Sequence, residues 1–369
     1  MLSSSSTARR RLTLTAFAAL AAVLLAAPAA MAGKRVAKTP ALKVMTRNLY
    51  LGGNIFLPLG AKDRAEFEEK TSELWNQVQS TNFPARAKLL AAEIKRTGPD
   101  LVGLQEVAMW RRSPDGVKDG SATPSTTVVY DFLKTMKAEL RARGQRYTVA
   151  VVQQEADIEA STQQYDVRLT MRDVILVKRK RNGVKVLRKR SKQFKADVTI
   201  PTQGGPLTSD RGWTYVDASL AGTRFRFVNT HLESALEETR VAQAKELVAR
   251  GGPARAKTPV ILVGDLNSDA QNLTGASPVA YRTLTRFGFK DTWTATQNRS
   301  RGFSCCLKDP LLKDPPPFPG DHRIDHTLVK PRIKTTRAEI VGRDAKQRTA
   351  TGLWPSDHAG VVTTLRLAR

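Results

Sequence analysis

The chain has 369 residues, with 60 Lys and Arg against 34 Asp and Glu, for a formal charge of +26, and 41% of its residues are apolar. That apolar share is ample for a buried core, and two adjacent cysteines (Cys305, Cys306) cannot staple distant segments, so a disulfide scaffold is excluded. A positive field of this size attracts polyanions such as nucleic acid, acidic lipid or acidic glycan; composition alone allows a simple solubility bias equally well.

Arg9-Arg-Arg11, the apolar run Leu12 to Ala30 and the A-x-A site Ala30-Met-Ala32 form the pattern of a secretory signal over residues 1–32. The rival, a membrane anchor, needs ~20 clean apolar residues and fits less well, because Thr13, Thr15 and Pro28 interrupt the run. Export removes three arginines and no acids, leaving a charge of +23 and a secreted chain. Residues 33–41 are expected to form a flexible basic lead-in, and 42–369 one domain, because the polar motifs from Asn48 to His358 must meet at a single site.

Leu42 to Asn48 alternates as a strand. Ala87, Leu90, Ala91 and Ile94 have helical spacing, stopped by Gly98-Pro99. Leu101 to Leu104 is a buried strand that leads to Gln105-Glu106. Ser113 to Thr127 is a surface loop. Asp131 to Arg143 is a helix and Tyr147 to Gln153 a strand. Asp173 to Val177 is a strand running into Asn182-Gly183, a hairpin signal, with a return through Val184 to Leu187. From Lys178 to Lys195, ten of 18 residues are Lys or Arg, so both arms of that hairpin are cationic. Its alternative role is an edge whose lysines block strand-to-strand association.

Trp213–Leu220 pairs with Arg224–Thr230, ending on His231. A helix through Val241, Ala244, Leu247 and Val248 precedes the strand Val260–Val263, which leads to Asp265. Phe303 to Asp321 is a proline-rich insert, Ile324–Val329 a strand, and Gly360–Leu365 a strand just after Asp357-His358. Strands outnumber helices, which predicts an α+β sandwich. Adjacent Cα atoms lie ~3.8 Å apart, below the usual ~4.4–6.8 Å for a disulfide. Export would favour oxidising Cys305-Cys306 into a vicinal ring, and the pair reads as loop structure.

Asn48, Gln105-Glu106, Asn229-Thr-His231, Gly264-Asp265-Leu-Asn267, Arg323-Ile-Asp325 and Ser356-Asp357-His358 stand at strand ends, where ligands bind. Hard oxygen donors suit Mg²⁺, Mn²⁺ or Ca²⁺ better than Zn²⁺. In this order the set resembles the endonuclease/exonuclease/phosphatase superfamily, which includes deoxyribonucleases, abasic-site endonucleases, secreted sphingomyelinases and inositol-polyphosphate 5-phosphatases. The resemblance covers residues 42–366. It implies a four-layer α/β/β/α sandwich of two packed, mainly antiparallel sheets, and a metal-dependent phosphoesterase.

Carried over by motif, the resemblance places Asn48, Glu106 and Asp357 at the metal. Asp265 would be the base for the attacking water and Asn267 a donor to phosphate and water. His358 would stabilise a phosphate oxygen with Asp325 holding its ring, and His231 would act on the opposite side. Tyr50 stands where abasic-site endonucleases carry an acid, so a second metal-binding carboxylate is not expected there. Arg211 can clamp a phosphate or be a charged turn residue. Arg188, Lys189 and Arg190 are expected to contact a polyanionic substrate. A monomeric nucleic-acid phosphodiesterase is the leading expectation. The charge would also draw an anionic membrane surface, and a sphingomyelinase-like enzyme and a non-catalytic polyanion-binding module are the alternatives.

Overall fold

A computed structural model describes residues 40–120, 122–180, 183–271, 277–296, 298–330 and 332–368, so the signal segment 1–32 and most of the lead-in lie outside the described residues. In chain order the strands are Leu42–Asn48 (β1), Leu101–Gln105 (β2), Met109–Arg112 (β3), Thr127–Asp131 (β4), Tyr147–Ser161 (β5), Asp166–Lys178 (β6), Lys185–Gln193 (β7) and Val198–Ile200 (β8). They continue as Leu207–Ser209 (β9), Gly212–Leu220 (β10), Thr223–His231 (β11), Val260–Asp265 (β12), Lys290–Asp291 (β13), Asp325–Val329 (β14), Ile333–Val341 (β15) and Gly360–Leu367 (β16). The α-helices are Arg64–Ser80 (α1), Phe83–Thr97 (α2), Phe132–Ala142 (α3), Glu237–Val248 (α4), Val279–Arg286 (α5) and Thr292–Ala295 (α6).

One sheet runs β15-β16-β1-β2-β6-β3-β4, with β5 also on β6, and the other runs β13-β14-β12-β11-β10-β7. Each is antiparallel except for one pair, β1 with β2 and β11 with β12. Those two pairs are the ones separated in sequence by long helices, because a parallel connection must cross over a face of its sheet.

Successive side chains on a strand face opposite sides, and this builds the layers. Leu42, Val44, Leu101, Ile175, Phe225, Phe227, Ile261 and Val263 pack between the sheets. Their neighbours Met45, Val102 and Leu176 face α2 and α3, while Val228, Val260 and Leu262 face α4 and α5. The result is the expected α/β/β/α sandwich. Strands buried on both faces read as continuous apolar runs, which is why the central ones were legible. Asn82 caps α2 through Ala85 N (3.2 Å), and Gly98 closes it at φ 62°, as the Gly-Pro stop predicts.

One expectation fails. The stretch through Asn182-Gly183 does not fold β6 and β7 into a hairpin, although Asn182 itself is outside the described residues. β6 is already paired with β2 and β3 on one side and β5 on the other. With both its edges taken, the next strand crosses to the second sheet and pairs with β10. Arg188, Lys189 and Arg190 therefore lie on that sheet's exposed edge strand.

Gly103 in β2 lets the sheets meet closely. A Cβ there would fall 2.4 Å from Asn229 Oδ1 and 2.6 Å from Val263 Cγ2. Asn229 uses the space to donate to Leu104 O (3.1 Å) and to accept from Gln105 Nε2 (2.6 Å). Gly103→Ala is expected to destabilise by about 1–3 kcal/mol, the usual cost of overpacking, read as a lower urea midpoint with an unchanged slope.

Candidate active site

Strand register alone gathers the polar motifs. Asn48 is level with Gln105 across β1–β2, and His231, Asp265 and Asp325 are level across β11, β12 and β14. Parallel strands end at this edge, while the antiparallel β14 and β16 begin there, so Asp357-His358, just before β16, joins the others. A cavity of about 310 Å³ is lined by Tyr50, Glu106, Arg211, His231, Asp265, Asn267, Asp357 and His358, among others.

Buried arginines hold this end together, and the sequence reading missed them. Arg47, paired with Glu93 (3.0 Å), donates to His358 O. Arg86 donates to Leu49 O (2.7 Å) and Pro355 O (2.9 Å). Each ties the first strand to the Asp357-His358 segment, and Ser356 Oγ adds a bond to Asn48 O (2.9 Å).

Glu106 sits in left-handed backbone (φ 55°) that turns its carboxylate into the cavity. Its oxygens accept from Leu51 N (2.8 Å) and Asn48 Nδ2 (3.0 Å). Burial, and after it the charge of Asp357, push the Glu106 pKa up; Asp357 is likewise raised by burial, against the pull of His358 and Arg86. Two half-buried carboxylates, Glu106 disfavoured by the charge of Asp357, fit a hard divalent cation, whose binding would reverse the repulsion. Asn48 was expected at the metal, and its Oδ1 accepts from Tyr50 N (2.9 Å) while Nδ2 donates to Glu106 and Asp265. It also orients both carboxylates, and its amide oxygen keeps a second lone pair beside Glu106.

The two histidines sit in opposite electrostatic settings. His358 Nδ1 lies 2.8 Å from Asp325 Oδ2. Burial works against its proton, but Asp325, then Asp357 and Asp265, raise its pKa well above the usual imidazole value. His231 Nδ1 faces Arg211 Nη1 at 2.9 Å, and burial together with that guanidinium holds its pKa well below the usual value. An arginine can only donate, so the His231 ring accepts from Arg211, and its Nε2 lies 3.5 Å from Asp265 Oδ2. His358 Nε2 lies 3.7 Å from the same oxygen. Asp265 thus sits between the two rings, and burial lifts its pKa to about 7, the range of a working general base.

Asn267 (φ 46°) donates its backbone N–H to Asp265 Oδ1 (2.9 Å) and its amide to Leu232 O (2.9 Å), which leaves one amide hydrogen for the cavity. Arg211 is no surface turn residue. It is buried in the cavity wall, 3.6 Å from Glu155 and 3.7 Å from Glu233. Arg188, Lys189 and Arg190 do not line this cavity.

Glu155 and Asp173 form a further acidic pair behind His231. Burial raises Glu155 to about 8, and burial followed by Glu155 raises Asp173 well above the carboxylate range. No sequence signal marked Glu155, because β5 and β6 pass the site in mid-strand. Arg172 braces Val107 O (2.9 Å) and Asp131 (2.7 Å), and Arg168 pairs with Asp157 (2.7 Å). Cys305 and Cys306 are bonded to each other, and the proline-rich insert delivers Cys305 Sγ to 3.4 Å from His358 Nε2. The cysteines therefore border the site as well as shaping a loop.

Glu106→Gln is expected to weaken Mg²⁺ binding at least about tenfold by calorimetry, since even groups behind a ligand are worth that much. In the metal-free protein the same change should leave the melting temperature equal or higher, because it removes one of two opposed charges. An unchanged metal affinity would remove Glu106 from the metal site.

The sequence profile of the endonuclease/exonuclease/phosphatase family matches residues 73–358. No curated protein matches the sequence. The fold is similar to that of a family protein from Bacteroides thetaiotaomicron (16% identity, 90% of this chain and 100% of that one, TM-score 0.56). It is also similar to one from Bacteroides vulgatus (19%, 89% and 99%, 0.54) and to a mannosyl-6-phosphatase from Bacteroides thetaiotaomicron (19%, 88% and 99%, 0.54).

Proposed function

This chain belongs to the endonuclease/exonuclease/phosphatase family and is a phosphoester hydrolase, and on that premise we propose that it is a secreted, divalent-metal-dependent phosphodiesterase of nucleic acid. The observation that carries the chemistry is the placement of the buried Asp265 between His231 Nε2 (3.5 Å) and His358 Nε2 (3.7 Å), whose ring Asp325 holds at 2.8 Å.

A divalent cation held by Glu106 and Asp357 would supply charge neutralisation at a phosphate oxygen. Asp265 takes a proton from water as the water oxygen attacks phosphorus; the bond to the leaving oxygen breaks, and that oxygen takes a proton from solvent. His358, its ring fixed by Asp325, donates from Nε2 to the oxygen on which charge grows. His231, whose ring accepts from Arg211, orients the water or a phosphate oxygen and does not carry the proton to the leaving group.

Nucleic acid is supported by the charge of +26 and by the cationic edge strand β7, with Lys185, Arg188, Lys189, Arg190 and Lys192 all exposed. A second reading, a lipid phosphodiester, has its own observation. An apolar groove lined by Leu59, Phe67, Ile200 and Leu207 shares Ile55, Phe56 and Arg211 with the catalytic cavity, and Phe56 is 47% exposed. Product release from single-stranded DNA, sphingomyelin vesicles and an inositol polyphosphate, each with Mg²⁺ and with EDTA, tests both. Cleavage of DNA only with Mg²⁺ is expected. Cleavage of sphingomyelin alone would transfer the function to the second reading.

A further inference from the structure

At the end of the sandwich away from the catalytic cavity, β5, β6 and β7 enclose a second and larger cavity, about 700 Å³. Arg146, Lys178, Arg179, Lys180 and Lys189 line it, and no acidic side chain does among the described residues. Four of the five are exposed and Lys178 is half-buried. The lining runs on into an adjoining cavity of about 290 Å³ that shares Arg146 and Arg179 and adds Lys137 and Arg141. Seven cations with no interspersed acid repel one another, and an anion set among them removes that repulsion.

The strands fix where this surface lies relative to the reaction. β6 passes the catalytic cavity near Asp173, and Lys178 is five residues further along, ~17 Å at ~3.3 Å per residue. On β7, Gln193 is level with Gly212 and so with His231, and Lys189 is four residues, or ~13 Å, away. Between them Arg190 and Lys192 continue the positive charge along an exposed edge. A cationic track therefore leads from the catalytic end to the basic cavity.

We infer that this cavity is a second substrate-binding site, gripping the phosphate backbone of single-stranded nucleic acid ~17 Å from the catalytic end, the distance along β6. The inference rests on the nucleic-acid reading above. A threaded chain fits better than a bilayer, because the surface is concave and none of the side chains lining the larger cavity is the exposed aromatic that anchors at a membrane interface.

The test measures binding without catalysis, by anisotropy of fluorescein-labelled oligothymidylates of 4 and 20 nucleotides in EDTA. Replacing Arg146, Lys178, Arg179 and Lys180 together with glutamine should weaken 20-mer binding at least about tenfold at low salt. The salt slope should fall by about 0.7 for each phosphate that is no longer neutralised, while 4-mer binding and turnover of bis(p-nitrophenyl) phosphate stay unchanged. Lys189→Gln, on the opposite wall, should act in the same direction more weakly and guards against misfolding of the fourfold variant. Equal 20-mer affinity and slope in both variants and wild type overturns the inference. So does wild-type binding of phosphatidylglycerol vesicles without binding of the 20-mer. If the 20-mer binds through these residues but is never cleaved, the cavity stands as a nucleic-acid site and the proposed substrate falls.

Discussion

Asp265→Asn is expected to lower kcat by about 10²–10⁴-fold while leaving the fold intact, the range that a positioned general base contributes. The amide is nearly isosteric, and its oxygen can still accept from Asn48 Nδ2, now 3.1 Å from Asp265 Oδ2, or from Asn267 N at 2.9 Å from Oδ1. Burial already disfavours the carboxylate's charge, so its loss should cost little stability. Retained affinity for uncleaved substrate, with an unchanged melting temperature, would isolate the defect to the chemical step. Wild-type turnover in this variant would mean that another group activates the water, and the assignment of Asp265 would be wrong.

His358→Ala should cut kcat at least about 10²-fold, since it removes the cationic donor aimed at the phosphate oxygen. It also leaves Asp325 as a buried carboxylate without its partner, and breaking a buried ion pair costs about 3–5 kcal/mol. Activity and stability can be separated by adding Asp325→Asn to His358→Ala. The double variant should regain most of the stability and none of the activity. Asp325→Asn alone should be milder in kcat, because the imidazole stays in place and loses only the group that orients and charges it. Full activity in His358→Ala would leave Asp265 and the metal as the whole catalytic apparatus.

The core of the site was legible because its residues stand at strand ends, and strand ends announce themselves. Leu101 to Leu104 and Val260 to Val263 are apolar runs that stop abruptly at Glu106 and Asp265. What surrounds them was not legible. Arg47 and Arg86 read as ordinary surface cations, and only packing shows that both are fully buried with their charge spent on Glu93 and backbone carbonyls. Glu155 lies inside a fifteen-residue strand with nothing to mark it. Arg211 reads as a turn residue until Glu155, Glu233 and His231 are seen around it. α1 was missed because its apolar positions Phe67, Leu74, Trp75 and Val78 are sparse among charged and amide residues.

By itself the sequence determined an α+β sandwich and the polar residues at its strand ends, since an apolar run decides where a strand ends; the four-layer order came from the resemblance those ordered motifs carry. The destination of β7 was decided only in three dimensions. A turn signal states that the chain reverses and says nothing about which strand has a free edge to receive it. β6 had none and β10 had one, so five basic residues became an exposed track along the second sheet. The electrostatic settings of the histidines were likewise fixed by tertiary contact. Both are imidazoles at strand ends, and they differ because folding put an arginine against one ring and an aspartate against the other.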